Sequence, residues 1–211
     1  MTKCYLFLLG RPGCGKSEVW RNLTEKIKKD RVASSFARLD DFPILNGWKE
    51  EDFAGKDYTH FLPTSDGGFK VVDPGVWNEL LRRLSIQIRG RKEEVLAIEF
   101  ARDRYVQALS LFPEDMLKKS AAIYIDASFE TCWKRNMERV KRLQEQGQDA
   151  HFVSKKEMEE TYLNDDKKEL LSKKPVDVLV IDNEDKTLEE LRKEVDKIVA
   201  KIEEKIKKYD A

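Results

Sequence analysis

Short apolar runs alternate along this chain with longer stretches of helical periodicity. Compact apolar segments at about Lys3–Leu9, Ala33–Leu39, Val95–Phe100, Ala121–Asp126 and Val176–Asp182 read as strands buried on both faces. Helices are predicted between and after them, near Lys16–Lys29, Gly75–Arg89, Arg104–Leu111, Phe129–Gln146, Lys155–Leu171 and Leu188–Lys207. The last shows the clearest stripe: Leu188, Leu191, Val195, Ile198, Val199, Ile202 and Ile206 recur at intervals of three and four. Thr187, with Glu190 three residues on, fits a capping box at its start. Strand and helix in alternation predict an α/β domain, a parallel sheet covered by helices on both faces.

Two stretches break the alternation. Residues Phe42 to Asp73 read as a long insertion in which Asp66-Gly67-Gly68, between Phe61-Leu62 and Phe69–Val72, suggests a hairpin. Residues Gln144 to Asp166 are polar and lack a strong apolar stripe. Long connections inside a compact domain are usually functional loops or lids. No internal repeat or low-complexity linker interrupts the 211 residues, so one domain spanning 1–211 is expected.

Forty basic residues balance forty acidic ones, so no global field gathers nucleic acid or an anionic membrane. No apolar run is long enough to span a bilayer, and the start reads as a buried strand, not a signal peptide. Cys4, Cys14 and Cys132 are odd in number and show no paired spacing, which argues against a disulfide framework or a zinc site. A cytoplasmic protein is expected.

The first predicted strand runs into Gly10-Arg11-Pro12-Gly13-Cys14-Gly15-Lys16-Ser17-Glu18, which matches G-x-x-x-x-G-K-[ST] where an amphipathic helix begins. Glycines let consecutive backbone N–H groups turn inward on phosphate oxygens, and the helix presents its positive end to the same anion. In this pattern Lys16 reaches the β- and γ-phosphates and the Ser17 hydroxyl ligates Mg²⁺. Glu99, closing an apolar strand, is a candidate second metal group, or a plain strand-end carboxylate. Asp40 and Asp41 should emerge at the same carboxyl edge of the sheet, where either could take a proton from a substrate hydroxyl or simply serve a turn. Arg135, Arg139 and Arg142 share a helical face that could close over a triphosphate or remain solvated. Arg102 and Arg104 are further candidates for acceptor or phosphate. Trp48, Phe53, Tyr58, Phe61 and Trp77 could stack on a base or form the insertion's own core. Arg82, Arg83, Arg89 and Arg91 read as an acceptor-phosphate site or a solvated face.

Taken together, these residues resemble the P-loop nucleoside and nucleotide kinase superfamily. Leu39-Asp40-Asp41-Phe42 is similar to the segment after the second strand in uridine kinase-like, polynucleotide kinase-like and zeta-toxin-like members, which implies Asp40 as catalytic base. Ile123 to Asn136 is similar to their fourth strand, following helix and start of an arginine-bearing lid, here about 135–166. The resemblance implies a three-layer fold with a five-stranded parallel sheet in the order 2-3-1-4-5, and places Asp182-Asn183-Glu184 against adenine. It implies an ATP- and Mg²⁺-dependent kinase acting on a small hydroxyl- or phosphate-bearing acceptor, bound near the 42–73 insertion. The alternative is a P-loop ATPase or regulatory nucleotide-binding protein. A GTPase is disfavoured because Asn183-Glu184-Asp185-Lys186 has the wrong order for N-K-x-D and Asp73-Pro74-Gly75-Val76 misses the glycine position of D-x-x-G. Glu99 is followed by Phe100, so the Asp-Glu pair of many P-loop ATPases is absent.

Overall fold

The computed structural model describes residues 2–65, 68–147 and 153–210. Five parallel strands form the central sheet: β1 (Cys4–Leu9), β2 (Phe36–Asp40), β5 (Val95–Glu99), β6 (Ser120–Asp126) and β7 (Asp177–Asp182), in the order β2-β5-β1-β6-β7. Counting only these strands, the order is the expected 2-3-1-4-5. Side chains alternate across β1, so Cys4, Leu6 and Leu8 join one core and Phe7 and Leu9 the other. The first core lies under α1 (Lys16–Lys29) and α9 (Leu188–Asp210), the second under α3 (Gly75–Arg89), α4 (Tyr105–Leu109) and α8 (Lys167–Lys173). Asp40 and Leu8 both lie level with Glu99 in the sheet register, which brings three strand ends to one edge. Among the described residues no helix is long and apolar enough to cross a membrane.

The structure differs from the sequence reading in several elements. Phe42–Gly55 forms a helix, α2, where an irregular insertion is predicted. Its apolar residues Phe42, Ile44, Leu45, Trp48 and Phe53 make no single stripe, so periodicity is silent; Pro43 in its first turn is the signal that marks the start. The hairpin forms, pairing β3 (Phe61–Pro63) with β4 (Phe69–Val71), while Asp66 and Gly67 of its turn lie outside the described residues. Phe61, Leu45, Val76 and Leu80 make a separate small core with Trp48, Phe53 and Trp77 packed against it. The predicted helix Lys155–Leu171 is two helices, α7 (Lys155–Tyr162) and α8. The chain breaks there because Asp165 and Asp166 use their carboxylates locally: Asp165 accepts from Lys167 N–H, and Asp166 accepts from the Tyr105 and Val106 amides at the start of α4. A short helix α5 (Glu114–Lys118) is also present. The second strand begins later than expected because Ser34 is held by Glu94 through both its amide and hydroxyl.

The insertion is organised by one buried carboxylate. Asp52 accepts from the His60 and Phe61 amides at 3.3 and 3.0 Å, fixing the loop between α2 and the hairpin. Asp52→Ala strands two amides, one of them buried, and should cost about 2 kcal/mol in a urea melt. A loss confined to a few tenths would show that the insertion is fixed by its apolar core instead.

Candidate functional site

At the carboxyl edge, β1 passes through a tight loop into α1. Gly13 has φ 85°, and a Cβ there would sit 2.3 Å from the Cys132 carbonyl oxygen. Gly15 has φ 108°, and a Cβ there would meet Asn183 Nδ2 at 2.5 Å. No side chain caps α1. Among the described residues, the amides of Gly13, Gly15 and Ser17 have no protein acceptor, whereas Gly10 donates to the Tyr105 hydroxyl at 3.0 Å, Cys14 to the Arg11 carbonyl at 3.1 Å and Lys16 to the Cys14 sulfur. The loop therefore offers a cluster of open donors where a helix begins, the geometry of an anion cradle.

Lys16 is buried and folds back on this loop, donating to the carbonyls of Gly10 at 2.8 Å and Arg11 at 3.0 Å, with Glu99 4.0 Å away. Burial alone would lower its pKa, but nearby negative groups, Glu99 and Asp40 among them, outweigh it and hold the ammonium above its ordinary value. Burial raises the Glu99 carboxyl, against the pull of Lys16 and Arg38. Ser17 and Glu99 share one cation: Arg38 Nη1 lies 3.2 Å from Ser17 Oγ and 3.0 Å from Glu99 Oε2. Sequence reading missed Arg38, although its place two residues before Asp40 on one strand puts both on the same face.

Asp40 and Asp41 separate in role. Asp40 accepts from the Phe42 amide through Oδ1 at 2.9 Å and lines the cavity beside Glu99. Asp41 is buried and paired with Arg102 at 2.8 Å; burial raises its carboxyl and Arg102 opposes that rise. Arg102 is itself buried, stacks over Trp77 at 4.9 Å and donates to the carbonyls of Ala101 and Trp77. Arg104 is exposed, 3.9 Å from Asp103.

Arg135, Arg139 and Arg142 all line the same cavity, of about 520 Å³. Arg135 donates to the Glu184 carbonyl at 3.0 Å, and Arg139 to Asn136 Oδ1 at 2.7 Å. Burial lowers the Arg139 pKa, which Glu99 and Asp40 partly offset. Part of the expected 135–166 lid, residues 148–152, lies outside the described residues; α7, within the predicted helix Lys155–Leu171, closes the far wall, with Glu157 and Tyr162 in the cavity lining. The hairpin touches it through Lys70–Glu160 at 2.6 Å.

Three expected contact residues sit behind the loop. The Arg11 side chain faces away from the cavity, donating to the Tyr162 and Ala127 carbonyls and pairing with Asp165 at 3.3 Å. Asn183 is buried and donates to the Cys14 carbonyl at 2.8 Å, so it fixes the loop where a base-facing position is predicted. Cys14 is fully buried, and burial raises its thiol pKa. Tyr105, also missed in the sequence, supports the same loop; its neighbour Tyr124 donates to Asp165 at 2.5 Å. Trp48, Phe53 and Phe61 belong to the insertion core, while Trp77 also faces the cavity. Tyr58 is exposed and packs on Phe53. Arg82 and Arg83 pair with Glu79, and Arg91 with Glu93.

No protein-family model matches the chain, and no curated protein matches it in sequence. Solved structures do match over nearly the whole length. A gluconokinase from Sinorhizobium meliloti 1021 superposes with TM-score 0.56 at 14% identity, covering 96% of this chain and 94% of its own. The Chaetomium thermophilum Kti12, solved with ADP-AlF3, gives 0.56 at 13% identity over 94% and 98%. The Mycobacterium tuberculosis APS kinase CysC, solved with AMPPNP and APS, gives 0.54 at 17% identity over 93% and 96%. The sheet order, the loop and these likenesses show that the chain has the P-loop kinase-like NTPase fold.

The buried Glu157 carboxyl supplies a pH test. Burial raises its pKa above the ordinary 4.5, against the Thr161 hydroxyl that donates to it. Stability tied to the neutral acid is therefore complete below the unfolded value and is lost as pH climbs through the folded one. Glu157→Gln should gain on the wild type in denaturation midpoint as pH rises from 4 to 8. A constant difference across that range would show that the carboxyl stays solvated.

Proposed function

We propose that this protein is an ATP- and Mg²⁺-dependent phosphotransferase acting on a small hydroxyl- or phosphate-bearing acceptor. The observation that carries the reading is the juxtaposition, in one cavity, of open loop amides, Lys16, Asp40 and the Arg135–Arg142 face.

The loop amides and Lys16 hold the phosphates, and Arg135 and Arg139 add positive charge where the transferring group stands. Ser17 and Glu99 are the metal groups. Their fit rests on Arg38, since both oxygens already converge on a single cation of the protein's own. A Mg²⁺ held there neutralises phosphate charge. Asp40 accepts the proton of the acceptor hydroxyl; that oxygen forms a bond to the γ-phosphorus as the bond to the β,γ-bridging oxygen breaks, and ADP leaves. Asp40 suits this role better than Asp41, whose carboxylate is committed to Arg102. Asp41 and Arg102 position the acceptor wall.

Lys16→Ala should weaken ATP binding by about 10- to 100-fold in calorimetry while leaving the circular dichroism spectrum unchanged. Asp40→Asn should lower kcat by about 100- to 10,000-fold with little change in nucleotide affinity. Full activity in both Asp40→Asn and Asp41→Asn would remove the base from this reading. ADP release that proceeds equally well without any added acceptor would favour an ATPase or regulatory nucleotide-binding protein.

Arg38 gives a separate binding test. Arg38→Ala removes the resident cation from Ser17 and Glu99 and should tighten Mg²⁺ binding to the ADP complex several-fold, read by Mn²⁺ electron paramagnetic resonance and Mg²⁺ competition. Weaker metal binding in that variant would mean that Arg38 serves the nucleotide directly.

A further inference from the structure

The cavity is divided by charge along its length. At the loop end stand Lys16 and Arg135, with Arg139 set toward Glu99 and Asp40. Arg142 is exposed, where solvent and salt screen it. Past Asp40 the lining becomes largely apolar: Phe42, Leu45, Phe69, Trp77, Phe100 and Tyr162.

Among the described lining residues of this far end, Arg102 is the one cation, and Asp41 already neutralises it at 2.8 Å. Glu157 and Tyr162 are the remaining titratable groups there, a carboxyl and a phenol, and Asp40 stands at the boundary, facing Lys16 and Arg139. Lys70, on the neighbouring hairpin, is held by Glu160. The far end therefore carries no surplus positive charge, in contrast to the loop end.

We infer that the acceptor end takes an uncharged or cationic hydroxyl compound with a flat, apolar body, and rejects acceptors that carry phosphate, sulfate or carboxylate. This rests on the phosphotransfer reading for which end receives the acceptor, and narrows its chemical class. An anionic group at this end would be brought beside Asp40 and out of water, with the Arg102 charge already spent on Asp41. A flat apolar body instead covers the Phe42, Phe69 and Trp77 walls and displaces water from them. A second hydroxyl or amine on it can meet Glu157 whether that carboxyl is neutral or ionised.

Two measurements on the AMPPNP·Mg²⁺-loaded full chain test the inference, and AMPPNP titration by calorimetry checks the donor reading separately. In the first, quenching of Trp77 is obtained as the difference between the wild type and Trp77→Phe. With each slope divided by that of free N-acetyltryptophanamide, caesium should quench it at least about twofold more effectively than iodide, because the carboxyls there repel an anion that no free cation attracts. Asp41→Asn, which leaves the Arg102 charge unbalanced, should narrow or reverse that order. In the second, matched pairs differing by one phosphate (uridine and uridine 5′-monophosphate, thymidine and thymidine 5′-monophosphate) are compared by thermal shift on the wild type. A larger upward shift with the nucleoside of either pair supports the inference. A larger shift with a monophosphate, or iodide quenching more effectively than caesium once each is divided by its slope for the free standard, overturns it. Where no compound shifts the melt, the quenching order decides alone. Failure of AMPPNP to bind would instead defeat the phosphotransfer reading.

Discussion

A folded chain rarely leaves backbone amides without partners, because each buried one left unsatisfied costs about 1–3 kcal/mol. The loop between β1 and α1 leaves three amides open within five residues, at the half-buried Gly13 and Gly15 and the exposed Ser17, and much of the surrounding structure exists to keep it so. Asn183 from the end of β7 holds the Cys14 carbonyl, Tyr105 from α4 takes the Gly10 amide, and Arg11 reaches to the segment after α7. Lys16 ties the Gly10 and Arg11 carbonyls from inside. These groups engage the loop's carbonyls and flanking amides and leave the inner amides open. A cradle that binds an anion must be stiff before the anion arrives, since ordering it on binding would subtract from affinity.

Beside the cradle, charge is balanced within a small volume. Lys16 and Arg38 face Glu99, and Asp40 lies level with Glu99 in the sheet. Carboxylates at strand ends would repel one another without these cations, and Arg38 answers by bridging Glu99 to Ser17. The same arrangement explains why Lys16 stays charged although buried.

The strands were legible because most are short apolar runs, and the long helices other than α2 because each carries a clean stripe, whereas the sheet order followed from the family resemblance. The loop motif was legible because its glycines have steric reasons to be there, as the Cys132 carbonyl beside Gly13 makes plain. What the sequence hid depends on distance along the chain. Nothing near Tyr105 announces a partnership with Gly10, 95 residues away, and Asn183 reaches Cys14 across 169. Helix α2 was hidden because its apolar residues pack against a hairpin and α3 as well as the main domain, which erases the one-sided periodicity that betrays a helix on a single core. The arginine face on α6 (Phe129–Glu145) was readable from spacing alone, whereas the division of labour between Asp40 and Asp41 required seeing Arg102.

The two walls of the cavity's far end come from segments about 90 residues apart, the hairpin and α7, joined by the Lys70–Glu160 pair. Both side chains are partly open to solvent, at 31% and 45% exposure. Such pairs contribute at most about 1 kcal/mol and fade with ionic strength. The link between the two walls is thus weak, and dissolved salt, by screening the pair, loosens the hairpin's hold on α7.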